Sequence, residues 1–257
     1  MRFMTRNVRT YDHFCVLSRA LERIGDRWTL LVIRDLLTGA KRFTDLMDRL
    51  GGITPKTLTQ RLRELEEEGL IEADREPGRR EVWYRLTVAG ADLAPAVDAL
   101  SWWGLRHAWR PPGRDEVLHA EHLLTAISLV IDRTGGDRAP ARWHIELEDD
   151  GDYVIESDGH HWTLTFGRPQ GVPDVTIRTT TGDLKQFVTD PTPSQGSALG
   201  IQITGTAKAV ARFHRLVGTF AKAVVLQPPG VTGEPSRRPT ISSQAEDEGG
   251  RVFQRRS

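Results

Sequence analysis

Cysteine is nearly missing from this chain: among 257 residues there is one, Cys15, so no internal disulfide can form, and a reducing compartment is the expectation. Long apolar runs are missing too. The most apolar stretches, such as LTAISLVI from Leu124, fall far short of the roughly 20 residues that a membrane-spanning helix needs. The opening MRFMTRNVRTYDHF has basic residues with no continuous apolar stretch after them, which argues against a secretory signal. A cytoplasmic protein with no membrane segment follows as the expectation. Catalytic signatures are equally scarce: no Gly-rich phosphate loop, no nucleophile elbow, and no spaced Cys/His/carboxylate set for a metal. His119, His122, His144, His160 and His161 lie among many carboxylates without forming a motif, and His160-His161 falls in a turn where histidines are usually solvated. No enzyme activity, no metal and no cofactor are expected. Net charge is lacking as well, with 35 Lys and Arg against 35 Asp and Glu. That balance hides an asymmetry: residues 1–110 carry 19 basic against 16 acidic side chains, and residues 115–229 carry 10 against 15. A mildly basic first half suits a nucleic-acid partner without establishing one, because binding depends on where the charges sit.

What is present divides into three parts. The length exceeds one average domain of ~150 residues, so two are expected. The junction RPPGRDE at 110–116 breaks any helix, and the boundary is placed there. This gives residues 1–110, residues 115–227, and a tail at 228–257 whose Pro, Gly, Ser and charge leave almost nothing to bury, so that disorder is expected.

In the first part, Cys15, Val16, Ala20 and Ile24 fall near helical spacing, with Gly25 ending the helix. DRWTLLVIRDLLTG gives a second helix with Trp28, Leu31, Val32, Leu36 and Leu37 on one broad stripe, and RFTDLMDRL a short third that stops at Gly51-Gly52. The fourth is marked by Thr54-Pro55, a cap hydroxyl followed by proline at the first helical position. Within TPKTLTQRLRELEEEGL, Leu58, Leu62 and Leu65 share one face. The opposite face carries Lys56, Gln60 and Arg63, flanked by Thr57 and Thr59. Such groups suit base edges and phosphates. Glu64, Glu66, Glu67 and Glu68 crowd the far end and would repel phosphate, so the helix is expected to enter a major groove by its N-terminal turns. LIEADREPGRREVWYRLT then reads as two strands, 70–75 and 82–87, joined by a turn whose Arg79 and Arg80 are placed to touch backbone or minor groove. One last helix is expected over 88–109.

The IGDRWTLLVIRDLL, RFTDL, ITPKTLTQRLRELEEEGLI and YRLTVAG stretches, with Cys15 ahead of them, resemble the HxlR-type winged helix-turn-helix regulators, a branch of the MarR-like group, over residues 15–110. The resemblance implies double-stranded DNA as partner, a homodimer, and a pseudo-palindromic operator. It implies contacts from Thr54, Lys56, Thr57, Thr59, Gln60, Arg61, Arg63, Arg79 and Arg80, although Arg61 lies nearer the apolar stripe, where a phosphate or structural role fits better. It also implies that Leu93, Val97, Leu100, Trp102 and Trp103 meet a second subunit, the alternative being packing on the following domain. Some members sense oxidants through a cysteine at the position of Cys15, where the family has Cys-Pro and this chain has Cys15-Val16. The other reading is a buried cysteine acting as a small hydrophobe.

The second part begins with an amphipathic helix over 116–133. ARWHIEL, DYVIESD, HWTLTFG and PDVTIRTT follow, alternating as in an antiparallel sheet. TTGDLKQFVT and TGTAKAVARFHRLVGTF are closing helices. With PDVTIRTTTGDLKQFV and LGIQITGTAKAVARFHRLV, this order resembles the sterol carrier protein type of domain over residues 115–226, so the expected fold class is α+β, a winged helix-turn-helix followed by a sterol-carrier-like sheet domain. That likeness implies a hydrophobic small-molecule ligand, here an effector. A solid supporting domain is the alternative, and a lipid carrier whose N-terminal module serves only protein contacts is the rival for the whole chain.

Overall fold

The computed structural model describes residues 10–75, 81–110, 116, 118–134, 137, 139–189 and 200–225. Helix α1 (Val16–Ile24) is followed by α2 (Thr29–Leu37), strand β1 (Lys41–Arg42), α3 (Phe43–Leu50) and α4 (Pro55–Glu67). Strands β2 (Ile71–Asp74) and β3 (Trp83–Leu86) pair antiparallel, and β1 adds to the far edge of β3, giving the order β1-β3-β2. The two-residue strand β1 was too short for any periodicity to reveal. Helices and winged sheet close over one cluster that includes Val32, Leu36, Leu46, Leu58, Leu62, Leu65 and Ile71. The wing turn at 76–80, with Arg79 and Arg80, lies outside the described residues, as do the junction at 111–115 and the tail.

The single helix expected over 88–109 is two: α5 (Val88–Ala91) and α6 (Ala94–His107). Pro95 has no N–H to donate to the Ala91 carbonyl, so α5 is not continued and the chain restarts with proline in the first turn of α6. Gly90 holds α5 against the wing, because a Cβ there would lie 2.0 Å from the Leu70 carbonyl oxygen.

The second part opens with α7 (Ala120–Thr134), later than residue 116. Strands β4 (Ala141–Leu147), β5 (Gly151–Ser157), β6 (Trp162–Phe166) and β7 (Val175–Thr179) follow, then α8 (Thr181–Thr189), β8 (Gln202–Gly205) and α9 (Ala207–Val225). The sheet order is β6-β5-β4-β7-β8, and β4 pairs with β7 in parallel, which corrects the antiparallel expectation. Strand alternation reports which face is buried and not which way a neighbour runs. The parallel pair requires the chain to return from the β6 edge, and residues 167–174 can span about 26 Å extended, enough for the diagonal of about 21 Å across a strand length and three strand spacings. Arg142 pins that crossover: its amide donates to Asp174 Oδ2 at 2.8 Å and its guanidinium to the Gln170 carbonyl at 2.9 Å.

Helices α7 and α9 lie against the sheet. Trp143 packs on Trp162 with ring centroids 4.6 Å apart and planes tilted by 40°, and meets Phe213 edge-on at 5.0 Å. Trp102, Leu105 and Trp109, from α6 and the residues after it, pack on this second core. Among the described residues, no helix is long and apolar enough to cross a membrane.

Candidate nucleic-acid interface and apolar cavity

Helix α4 begins where Gly51 and Gly52 turn the chain at φ 47° and 71°, values that only glycine adopts cheaply. The Thr54 hydroxyl then accepts from the Thr57 amide at 3.2 Å, and Pro55 occupies the first helical position. Leu58, Leu62 and Leu65 are at most 2% exposed, and the burial of each contributes about 1.5–3 kcal/mol. That grip fixes which face of α4 looks outward. Thr54, Lys56, Gln60 and Arg63 are exposed, Thr57 and Thr59 half-buried beside them. Lys56 and Arg63 have no ion-pair partner among the described residues, while the Gln60 amide donates to Glu64 Oε1 at 3.1 Å. Arg61 points elsewhere. Its guanidinium sits 2.7 Å from Asp26 Oδ2 and 2.8 Å from Glu64 Oε2, with the side chain 14% exposed, so it ties α4 to the segment before α2.

The acidic end of α4 is more neutralised than its sequence suggests. Arg75 grips Glu66 with two bonds of 2.6 and 2.8 Å, Arg61 holds Glu64, and Arg23 donates to the Glu68 backbone carbonyl while facing its carboxylate at 3.8 Å. Arg61 stands one turn before Glu64 on α4 itself, whereas Arg23 and Arg75 come from elsewhere in the chain, and nothing in the Glu-rich run announces those two.

Helix α1 differs from its sequence reading. Of its expected apolar stripe, Cys15 and Ile24 are half-buried and Val16 and Ala20 exposed. Val16, Leu17 and Phe14 are 78%, 66% and 90% exposed, with nothing among the described residues covering them. On α6 and the residue before it, the expected interface set divides. Leu93 and Val97 turn inward, Trp102 packs on the second core, and Leu100 and Trp103 stand 54% and 58% exposed. Neighbours on a helix point about 100° apart, so the tryptophan pair could not share one surface. Cys15 occupies the N-cap position of α1 with no side-chain cap hydrogen bond, and the nearby Ser18 amide and hydroxyl and Leu17 amide hold its thiol pKa below the ordinary value.

Between the sheet and the helices of the second part lies a cavity of about 390 Å³ whose apolar wall includes Leu124, Ile127, Ile145, Ile177, Phe213 and Val217. Thr179 and His214 supply polar groups, and the Thr179 hydroxyl is buried with no hydrogen-bond partner among the described residues. On the opposite sheet face, His144, Glu146 and Asp152 come together in metal-like geometry. Their charges are engaged by a cross-strand ladder: His144 Nε2 lies 2.8 Å from Asp152, which Arg168 also holds, and Arg178 pairs with Glu146. His160 and His161 sit exposed in the turn over Asp158, whose carboxylate accepts both of their amides.

Comparison with known proteins agrees with the helix-turn-helix geometry. The HxlR-like helix-turn-helix family profile matches residues 23–111. An uncharacterized HTH-type transcriptional regulator of Mycobacterium bovis is 45% identical over 100 residues, 38% of this chain and 61% of that one. The Bacillus subtilis regulator YtcD is 38% identical over 38% of this chain and 78% of its own. Among solved structures, the reduced form of the B. subtilis transcriptional regulator YodB is 31% identical, covering 36% of this chain and 92% of that one with a TM-score of 0.32. This chain thus spans about three fifths of the mycobacterial relative and most of the Bacillus ones. On the sequence identity with relatives matched over most of their length, the chain belongs to the HxlR-like helix-turn-helix family.

Proposed function

We infer that this protein is a DNA-binding transcription regulator that acts as a homodimer on a pseudo-palindromic operator, with α4 entering the major groove by its N-terminal turns. The observation that carries this reading is the exposed Thr54, Lys56, Gln60 and Arg63 face on a helix whose leucines are locked into the core. Thr57 and Thr59 flank that face, and Arg79 and Arg80 of the wing turn are assigned to phosphate or minor-groove contacts. Arg61, engaged by Asp26 and Glu64, is assigned to holding the helix. A second copy is the occupant assigned to the exposed apolar side chains of α1 and to Leu100 and Trp103 of α6. Cys15 stays a candidate redox sensor, supported by its lowered thiol pKa.

For residues 115–227 we propose a sterol-carrier-like domain that binds a hydrophobic effector carrying one hydrogen-bonding group, the unpartnered Thr179 hydroxyl being its anchor. A cavity of this size falls in the range of small-molecule sites. The rival, a hydrophobic-ligand carrier whose first module makes only protein contacts, draws on the cavity alone. A gel-shift titration at fixed salt on the protein's own promoter region separates the two. Combined Lys56→Ala and Gln60→Ala substitution should abolish specific retardation while leaving the circular dichroism unchanged. Unchanged retardation would remove α4 from the interface.

A further inference from the structure

Charged side chains are buried where α7 meets the helix-turn-helix. Asp35, Glu121 and Lys41 are 1%, 2% and 8% exposed, and the Arg49 side chain 17%. Charges persist in such a place only when each neutralises another, and removing one partner leaves the rest stranded. The pairing runs across the boundary between the two cores. Glu121, in the first turn of α7, accepts from the Thr38 hydroxyl at the end of α2, faces the Lys41 ammonium at 3.7 Å and meets the Arg49 guanidinium with its other oxygen. His122 sets Nε2 2.6 Å from Asp35 Oδ1, and Arg34 holds the same carboxylate at 3.1 Å. Burial pushes the Lys41 pKa down, against the pull of Glu121.

The placement of these groups links two sites. Lys41 lies in β1 just ahead of α3 and Arg49 stands in its last turn, so one carboxylate holds both ends of α3. Through Gly51-Gly52 that helix leads directly into α4. On α7 itself, Leu124 and Ile127 lie one and two turns beyond Glu121 and line the apolar cavity. We propose that Glu121 is the positioning residue through which occupancy of the cavity sets the attitude of α4, so that cavity binding and operator binding are coupled through this one carboxylate. The proposal rests on the reading of α4 as the DNA-contacting helix and of the cavity as a ligand site. Coupling of this kind is reciprocal: whatever factor a cavity ligand applies to DNA affinity, DNA applies to the ligand.

The test uses the full chain, a fluorescein-labelled duplex of its promoter region, and cis-parinaric acid, a fluorescent long-chain fatty acid, as cavity probe. In the wild type, saturating parinarate should change duplex affinity by at least about five-fold in anisotropy titrations at fixed salt, and the duplex should change parinarate affinity equally. Glu121→Gln keeps the side-chain shape and an acceptor for Thr38 but drops the charge. It should bind both partners with the mutual effect reduced below about two-fold. A Gln variant with undiminished coupling overturns the proposal and leaves the two sites standing, as does a wild type that binds both partners independently. A wild type that binds duplex but not parinarate overturns the ligand site and the proposal together. Hydrogen exchange on the wild type serves if the variant fails to fold: parinarate should alter exchange in 41–50 and 55–60 as well as in 120–127. A change confined to the cavity lining contradicts the proposal.

Discussion

Arg61 and Arg63 stand two positions apart on one helix, and their surroundings give them different work. Arg63 is exposed with no ion-pair partner among the described residues, whereas Arg61 is mostly buried between two carboxylates. Arg63→Ala should therefore weaken DNA binding at unchanged thermal stability. Arg61→Ala should lower stability by about 1–3 kcal/mol, read by urea unfolding, because Asp26 and Glu64 lose their counter-charge. The reverse pattern would exchange their roles. Angular position along α4 already set Arg61 near the leucine stripe, so this much was legible from spacing. Its partner Asp26, 35 residues away, was not. Cys15 carries a second prediction at this scale. With the Ser18 and Leu17 amides favouring the thiolate, alkylation by iodoacetamide should rise with pH to a midpoint below that of an unperturbed cysteine peptide measured alongside. A midpoint at or above that value contradicts the assignment.

Helices and strands were legible where one face repeats and illegible where the partner decides. Helix α4 declares itself through its cap, its proline and its leucines, and the structure places it over Pro55–Glu67. Strands β4 to β7 declared their burial by alternation, yet the parallel pairing of β4 with β7 depends on where the 167–174 crossover lands, which no periodicity encodes. Helix α6 shows a similar limit. Its aromatic content pointed both to a second subunit and to the following domain; the structure packs Trp102 on the second core and leaves Leu100 and Trp103 exposed. Trp102→Ala should lower the melting temperature of the chain, since Trp102 packs on the second core. Trp103→Ala combined with Leu100→Ala should instead shift sedimentation toward the monomer with the fold intact. Unaltered dimer content in that variant would move the subunit interface elsewhere.

For the whole molecule, a zero net charge conceals a surface and an internal boundary organised by ion pairs. Burial alone would raise the Asp35 carboxyl pKa, but the hydrogen bond to His122 and the Arg34 charge outweigh it and leave it below the usual carboxylate value. Asp45, Asp137, Asp152, Asp158 and Glu66 are held low as well, each by hydrogen bonds or neighbouring cations, with Asp98 raised by burial as the opposing case. A carboxylate depressed in the folded state stabilises above its unfolded pKa of about 4 and loses that contribution as pH falls through the folded value. The melting temperature should accordingly hold between pH 7 and about pH 5 and drop below about pH 4. A rise on acidification would contradict the assignment. Composition shows none of this, and although Arg42 and Arg75 stand near Asp45 and Glu66 in the chain, the pairs Asp35–His122 and Asp137–Arg212 join residues 87 and 75 positions apart. The central claim, that the outward face of α4 lies on DNA, is tested most directly by the salt dependence of promoter binding. The logarithm of affinity against the logarithm of salt concentration is compared between wild type and a Lys56→Ala, Arg63→Ala variant. If both side chains sit on phosphates in each of the two subunits, four contacts are lost and the variant's slope should be shallower by about four; superimposable slopes and affinities would contradict the account.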